Sequence, residues 1–420
     1  MRRYESYKDS GVEWLGEVPS HWEISSLGKI LLSVSEKNRP DLPLLSITRE
    51  LGVIERDTED QDSNHNFIPD DLSNYKILKK GQFGMNKMKA WQGSYGVSDF
   101  TGIVSPAYYI FDFIKSINPQ FFHWAIRSKV YVSFFGSASD GVRIGQWDLS
   151  KSRMKLIPFV IPTLSEQQKI AQFLDEKTAK IDQAVDLAEK QIALLKEHKQ
   201  ILIQNAVTRG LNPDVPLKDS GVEWIGQVPE HWEVKKMKFL FKDTSIKNKP
   251  DATLLSVTQN RGVIPRNWLE ERTVMPSGNL ETFKFIQKDD FAISLRSFEG
   301  GLEICHHDGI ISPAYTVLKY DKKFLNNGYY KYLFKCQKFI SEMQTSIVGI
   351  REGKNISYEE LKYSFLPIPQ IIEQQKIAQF LDEKTAKIDQ AIALKTAHIE
   401  KLKEYKSVLI NDVVTGKVRV

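Results

Sequence analysis

Residues Glu166–Ala184 read EQQKIAQFLDEKTAKIDQA, and the same nineteen letters stand unchanged at Glu373–Ala391. Apolar residues recur in them at helical spacing between Glu, Lys and Gln, the pattern of an amphipathic helix. The pattern runs on beyond the identical letters. Ile181, Val185, Ala188, Ile192, Leu195 and Leu202 fall on a seven-residue repeat, and Ile388, Ile392, Ile399, Leu402, Leu409 and Val413 do so in the second copy. A seam this narrow predicts a helix that pairs with another helix. The plainer alternative is a helix packed on its own globular domain. A length of about 45 residues, roughly 65 Å at the α-helical rise, favours pairing, and the nearest partner is the other copy. Pro162 ends an extended approach to the first helix, Ser165 with Gln168 reads as a capping box, and Gly210 supplies the stop. Ile372 stands where the second copy would carry its cap, and Gly416 ends that helix.

The duplication reaches well beyond the helices. KDSGVEWLGEVPSHWE at Lys8–Glu23 returns as KDSGVEWIGQVPEHWE at Lys218–Glu233, and GIVSPAY at Gly102–Tyr108 returns as GIISPAY at Gly309–Tyr315. PDLPLLSITRELGVIERD from Pro40 is echoed by PDATLLSVTQNRGVIPRN from Pro250. Lys8 to Lys218 is an offset of 210 residues and Glu166 to Glu373 one of 207, so half the chain is the repeating unit. That is too long for a stacked solenoid repeat. In each half a mixed region precedes the long helix. LLSIT (Leu44–Thr48), GIVSPAYYIF (Gly102–Phe111) and FAISLRSF (Phe291–Phe298) read as strands. FFHWAIRSKVYVSFF (Phe121–Phe135) and YYKYLFKCQKFISEM (Tyr329–Met343) read as short helices under a sheet.

At 420 residues, with 41% hydrophobic and 26% charged residues, the chain has the composition of a globular protein of two or three domains. A net charge of +5 permits a polyanionic partner without demanding one. Two cysteines argue against a disulfide framework. The start MRRYESYKDSG lacks the apolar run of a signal peptide, and no segment approaches a membrane span. The expectation is a soluble cytoplasmic protein with no membrane association. Paired copies of one unit adopt pseudo-two-fold symmetry. An antiparallel pair would set the mixed domains at opposite ends of a rod, and double-stranded DNA is a ligand of matching symmetry.

A mixed domain that exits through proline into an EQQKIAQFLD helix, followed by both again, resembles the specificity subunit of type I restriction–modification systems. The resemblance covers essentially the whole chain and rests on KDSGVEWLGEVPSHWE, GIVSPAY and EQQKIAQFLDEKTAKIDQA in combination. It implies an α/β (mixed α+β) fold with two target-recognition domains separated by two long antiparallel coiled-coil helices. Residues 1–163 and 212–371 would then be the recognition domains, and 164–211 and 372–420 the central and distal spacer helices. The implied function is non-catalytic. The chain would read a bipartite, gapped site in double-stranded DNA for two methyltransferase subunits and for restriction (translocase) subunits, in DNA methylation and phage defence. The resemblance implies no cofactor in this chain, with S-adenosylmethionine, ATP and Mg confined to the partner subunits.

Motifs for catalysis point the same way. There is no G-x-x-x-x-G-K-[ST] phosphate loop, no glycine fingerprint between strand and helix, and no Asn/Asp-Pro-Pro-aromatic tetrapeptide of the adenine-methyltransferase kind. Glu352–Gly353–Lys354 has an E-x-K spacing but lacks an upstream Pro-Asp on a strand. Cys305, His306 and His307 lack a second ligand pair for a metal and read as a surface turn. His21 and His231 read as structural residues beside Trp22 and Trp232.

Laying the halves over each other separates shared from divergent residues. In Asn86–Gly96 and Ser294–Ile304, Lys89 falls on Arg296 and Trp91 on Phe298. A cation held at one place in both halves suits a phosphate contact. Asn86, Lys87, Gln92 and Ser94 in the first half, and Ser297 and Glu299 in the second, are candidates for contacts of their own. Gln can pair with adenine and Glu can accept from the cytosine amino group. A second pair of loops, Ser139–Gln146 and Val348–Lys354, brings Arg143 onto Arg351 and diverges after them, adding Gln146, Glu352, Lys354 and Asn355. The plain alternative for all of these is solvated loop charge. Two other functions remain open on the residues alone: a free-standing DNA-binding regulator, and a structural adaptor whose paired helices join proteins.

Overall fold

The computed structural model describes residues 2–57, 68–141, 147–269, 279–348 and 355–420. The chain divides into two compact units, Met1–Ala188 with Ala397–Val420, and Glu189–Thr396. Each unit therefore holds one mixed domain and one part of each long helix. The helices span Leu164–Arg209 and Ile371–Val414. No helix among the described residues is long and apolar enough to cross a membrane.

In the first unit a four-stranded antiparallel sheet runs in the order Leu31–Val34, Tyr109–Phe113, Phe83–Met85, Tyr95–Val97. Two helices, Pro119–Ile126 and Lys129–Ser137, bury Phe121, Phe122, Tyr131 and Phe135 in the core with Phe83 and Phe111. The second unit repeats this with Phe241–Thr244, Thr316–Tyr320, Phe291–Ile293 and Glu303–Ile304, backed by Asn327–Leu333 and Gln337–Gln344. Each aromatic run read as one helix is thus two, because the backbone turns extended at Ser128 and Cys336. GIVSPAYYIF is two strands, Gly102–Val104 and Tyr109–Phe113, around a turn in which Tyr108 N–H donates to Ser105 O at 3.0 Å. Only Phe291–Ile293 of FAISLRSF is strand, since Ser297–Gly300 coils into a helical turn.

The repeated nineteen letters fasten each helix to its own domain. The buried Gln167 accepts from Asn118 N–H at 2.7 Å and donates to Pro162 O at 2.9 Å. Gln374 accepts from Asn326 N–H at 2.8 Å and donates to Pro369 O at 2.8 Å and to Phe324 O at 3.0 Å. Asp175 accepts from Trp124 Nε1 at 2.7 Å, and Asp382 from the Tyr332 hydroxyl at 2.7 Å. Ile170 and Leu174 are fully buried in the first core, as Ile377 and Leu381 are in the second. His21 Nε2 donates to Glu166 at 2.9 Å and His231 Nε2 to Glu373 at 2.9 Å, so the repeated P-x-H-W-E turn is pinned to the start of a long helix. Burial alone would raise the Glu166 carboxyl, but the His21 and Thr163 hydrogen bonds hold it below its ordinary range.

The first helix is capped by Thr163, not by the Ser165–Gln168 box. Thr163 N–H and Oγ1 donate to Glu166 Oε2 at 3.2 and 2.8 Å, two residues earlier than the sequence suggests. Gly210 and Gly416 do end the helices, at φ 75° and 78°. In the second unit the helix segments run antiparallel: Gln191 accepts from Lys395 Nζ at 2.6 Å, while Lys199 Nζ donates to Asp389 at 2.7 Å. In the first unit Lys406 Nζ donates to Asp182 at 2.6 Å, and Val413 packs into the core that holds Ile170. Every residue of the two predicted seams is buried or half-buried, with Ile181, Ala188, Ile399, Leu409 and Val413 buried.

Candidate nucleic-acid interface

Lys89 and Arg296 occupy matched places, each the residue before a short helical turn, Ala90–Gln92 or Ser297–Gly300, and both are exposed. Their backbones agree as well, φ −121° and −108°, so the equivalence inferred from the sequence is one of geometry too. Glu299 is exposed on its turn and accepts from Gln259 Nε2 at 3.2 Å, and Gln92 is half-buried on the matching turn. Lys87 Nζ donates to Asp148 at 2.8 Å, and this bond raises the lysine's pKa.

Three of the candidates point inward. Asn86 is buried, its amide donating to the Tyr108 hydroxyl at 3.3 Å and its carbonyl accepting from Met88 N–H at 3.2 Å. Ser94 is 2% exposed, and Ser297 is 1% exposed with its hydroxyl accepting from Ser294 N–H at 2.9 Å. These residues shape the turns that carry Lys89 and Arg296 and do not reach the surface themselves. Arg143, Gln146, Arg351, Glu352 and Lys354 lie outside the described residues. Asn355 is half-buried in a two-residue strand facing Val348.

The described flanks of the two loops meet in each unit. In the first, Trp91 lies 5.1 Å from Trp147 between ring centroids, and Leu149 N–H donates to Lys87 O at 3.1 Å. In the second, Gln344 Nε2 donates to Phe298 O at 3.0 Å beside the Ile347–Ile356 pair. Segments some fifty residues apart thus share one face of their domain. Cys305 departs from the surface turn expected of it: it is fully buried, while His306 is exposed in the turn that follows. Burial pushes its thiol up to about 12. Among the described residues no three His, Cys, Asp or Glu side chains converge as metal ligands.

Two cations that the sequence reading passed over organise this face. Arg127 donates to Tyr95 O at 2.7 Å, Arg49 O at 2.9 Å and Glu50 O at 2.7 Å. Lys335 donates to Gln259 O at 2.8 Å and contacts the carboxylate of the buried Glu303, which burial pushes up to about 7 although Lys335 pulls it down. The signal was available, because a cation follows the first aromatic helix in both halves, at Arg127 and at Lys335.

No protein-family model matches the chain. A Methanocaldococcus jannaschii relative described as "Putative type I restriction enzyme MjaX specificity subunit" is 23% identical over 431 residues, covering 97% of this chain and 96% of the relative. The MjaVIII specificity subunit of the same organism is 26% identical over 313 residues, 70% of this chain and 69% of the relative. Among solved structures, a chain from a study of complex assembly and conformational transition of the type I R-M system has a TM-score of 0.70 at 14% identity, covering 96% of this chain and 99% of that one. The HsdS subunit from Thermoanaerobacter tengcongensis has a TM-score of 0.57 at 14% identity, covering 96% of this chain and 98% of that one. In sequence along nearly its whole length, and in fold, the chain resembles the specificity subunits of type I restriction–modification systems.

Proposed function

We propose that this chain is a non-catalytic specificity subunit that recognises double-stranded DNA on behalf of partner methyltransferase and restriction subunits. The observation that carries the reading is the alignment with a named specificity subunit over 97% of this chain and 96% of the relative, which leaves neither half outside the likeness. Two units share one frame yet carry different residues on it, as at the half-buried Gln92 and the exposed Glu299, which suits the reading of two unlike half-sites separated by unread base pairs. Lys89 and Arg296 would hold phosphates, positioning each domain without reading sequence. The long helices would set the gap. They also carry exposed apolar side chains off their seams, Leu194, Ile201 and Leu394 in the second unit and Leu187, Tyr405 and Val408 in the first, on which two methyltransferase subunits would dock. S-adenosylmethionine, ATP and Mg would act in the partners, in the cytoplasm.

A genome-wide map of N6-methyladenine, with and without this gene, tests the reading. One gapped motif is expected to lose its methylation on deletion. An unchanged map, in cells where partner methyltransferase subunits are expressed, would overturn it.

A further inference from the structure

The echo PDLPLLSITRELGVIERD and PDATLLSVTQNRGVIPRN folds in each unit into a tight hairpin, Leu45–Thr48 with Gly52–Glu55 and Leu255–Thr258 with Gly262–Pro265. The two tips are built alike. A threonine hydroxyl donates to the glycine carbonyl across the turn, Thr48 to Gly52 at 3.2 Å and Thr258 to Gly262 at 2.8 Å. The same hydroxyl accepts from the third tip residue, Leu51 N–H or Arg261 N–H, at 3.1 Å in each case. The glycines stand at φ 73° and 72°, and a Cβ on Gly262 would meet Ile304 O at 2.6 Å, so no side chain is tolerated there. From the corner of the helix pair, Arg127 or Lys335 then clamps the tip by its carbonyls.

On this common frame nothing at the tip itself agrees. Arg49, Glu50 and Leu51 face Gln259, Asn260 and Arg261, and all six are exposed, Leu51 at 69%. An exposed leucine at the apex of a rigid turn has no packing reason. In the second unit the tip adjoins the turn before which Arg296 stands: Gln259 bonds Glu299, and both line a cleft of about 830 Å³ with Arg261 and Lys331. A frame held fixed while its exposed side chains are exchanged is what a recognition element requires.

We infer that the two hairpin tips, Arg49–Glu50–Leu51 and Gln259–Asn260–Arg261, are specificity-determining elements that contact base edges, each in its own half-site. The inference rests on the DNA-recognition reading and names residues for it. The side-chain types suit base edges: amides for adenine, arginine for guanine, glutamate for the cytosine amino group, leucine for the thymine methyl.

The test transplants the second tip onto the first in the full chain, R49Q/E50N/L51R, and selects bound molecules from a random duplex DNA library with the purified protein and its methyltransferase partner. The half-site of the first domain is expected to change preference about tenfold or more at one or two base pairs. The second half-site and the gap stay as they were. Leu51→Arg alone, a change at an exposed position, gives the same readout should the triple variant fold poorly, with thermal melting as the check. A wild-type motif that emerges clearly and is unchanged in a folded L51R and in the transplant overturns the tip assignment while leaving the recognition reading in place. A wild type that selects no motif overturns the recognition reading and this inference with it.

Discussion

Gln167 and Gln374 show how much of the repeated stretch is decided one side chain at a time. Each is buried, and each satisfies backbone groups at the start of its domain's aromatic helix, so leucine of similar volume would leave those groups unpaired. His123 makes a comparable case through titration. Its Nδ1 accepts from Val97 N–H at 3.3 Å, which requires the unprotonated nitrogen. Burial first, and then the neighbouring Arg127, push its pKa down to about 4 from 6.5. The unfolded chain therefore binds more protons between those values, so stability rises with pH through this window and is lost as pH falls. Relative to a His123→Gln variant, the wild type is expected to lose about 2 kcal/mol more between pH 7 and pH 4.5. Urea unfolding at a series of pH values measures this, and parallel profiles would remove His123 as the cause. Residue chemistry in the sequence marked Lys89, Arg296 and Glu299 as candidates for DNA contact, and these three are exposed. It misplaced Asn86, Ser94 and Ser297, because a small polar side chain serves a buried turn as readily as a surface.

The seam of the long helices is a property of elements, and a pair of substitutions on one helix isolates it. Ile399 is 5% exposed and Leu394 is 66% exposed, although the two are five residues apart. Ile399→Ala is expected to cost about 2–4 kcal/mol, and Leu394→Ala within about 0.5 kcal/mol. Equal shifts in the urea midpoint would mean that the pairing face is wrongly assigned. The helices and their stops were legible in the sequence because heptad spacing and glycine act locally. The first cap was displaced to Thr163, since Ser, Thr, Glu and Gln in succession offer two boxes, and the extended approach through Ile161 and Pro162 selects the earlier one. Strand lengths in the mixed domains were overread for a related reason. SPA in GIVSPAYYIF and SLRS in FAISLRSF close into local turns, Tyr108 N–H to Ser105 O and Ser294 N–H to Ser297 Oγ, which β-branched and aromatic content alone does not reveal.

For the molecule as a whole, a gap set by the long helices makes one demand. Four residues inserted near Lys180 would add about 6 Å of helix. If helix length sets the gap, the methylated motif should gain about one or two unread base pairs, with both half-sites unchanged. A motif with its original gap would sink the idea. By itself the sequence determined the duplication, the two long helices and the side of each that is buried, because these are written in exact repetition and in short-range periodicity. Only the tertiary structure decided which divergent residues stand outward and what positions them. Lys335 reaches Gln259, His21 reaches Glu166, and Arg127 reaches Arg49 across stretches of chain far too long for any local pattern to encode. Those contacts exist because burying the aromatic cores closes each domain, and the closure brings distant polar groups within hydrogen-bonding reach.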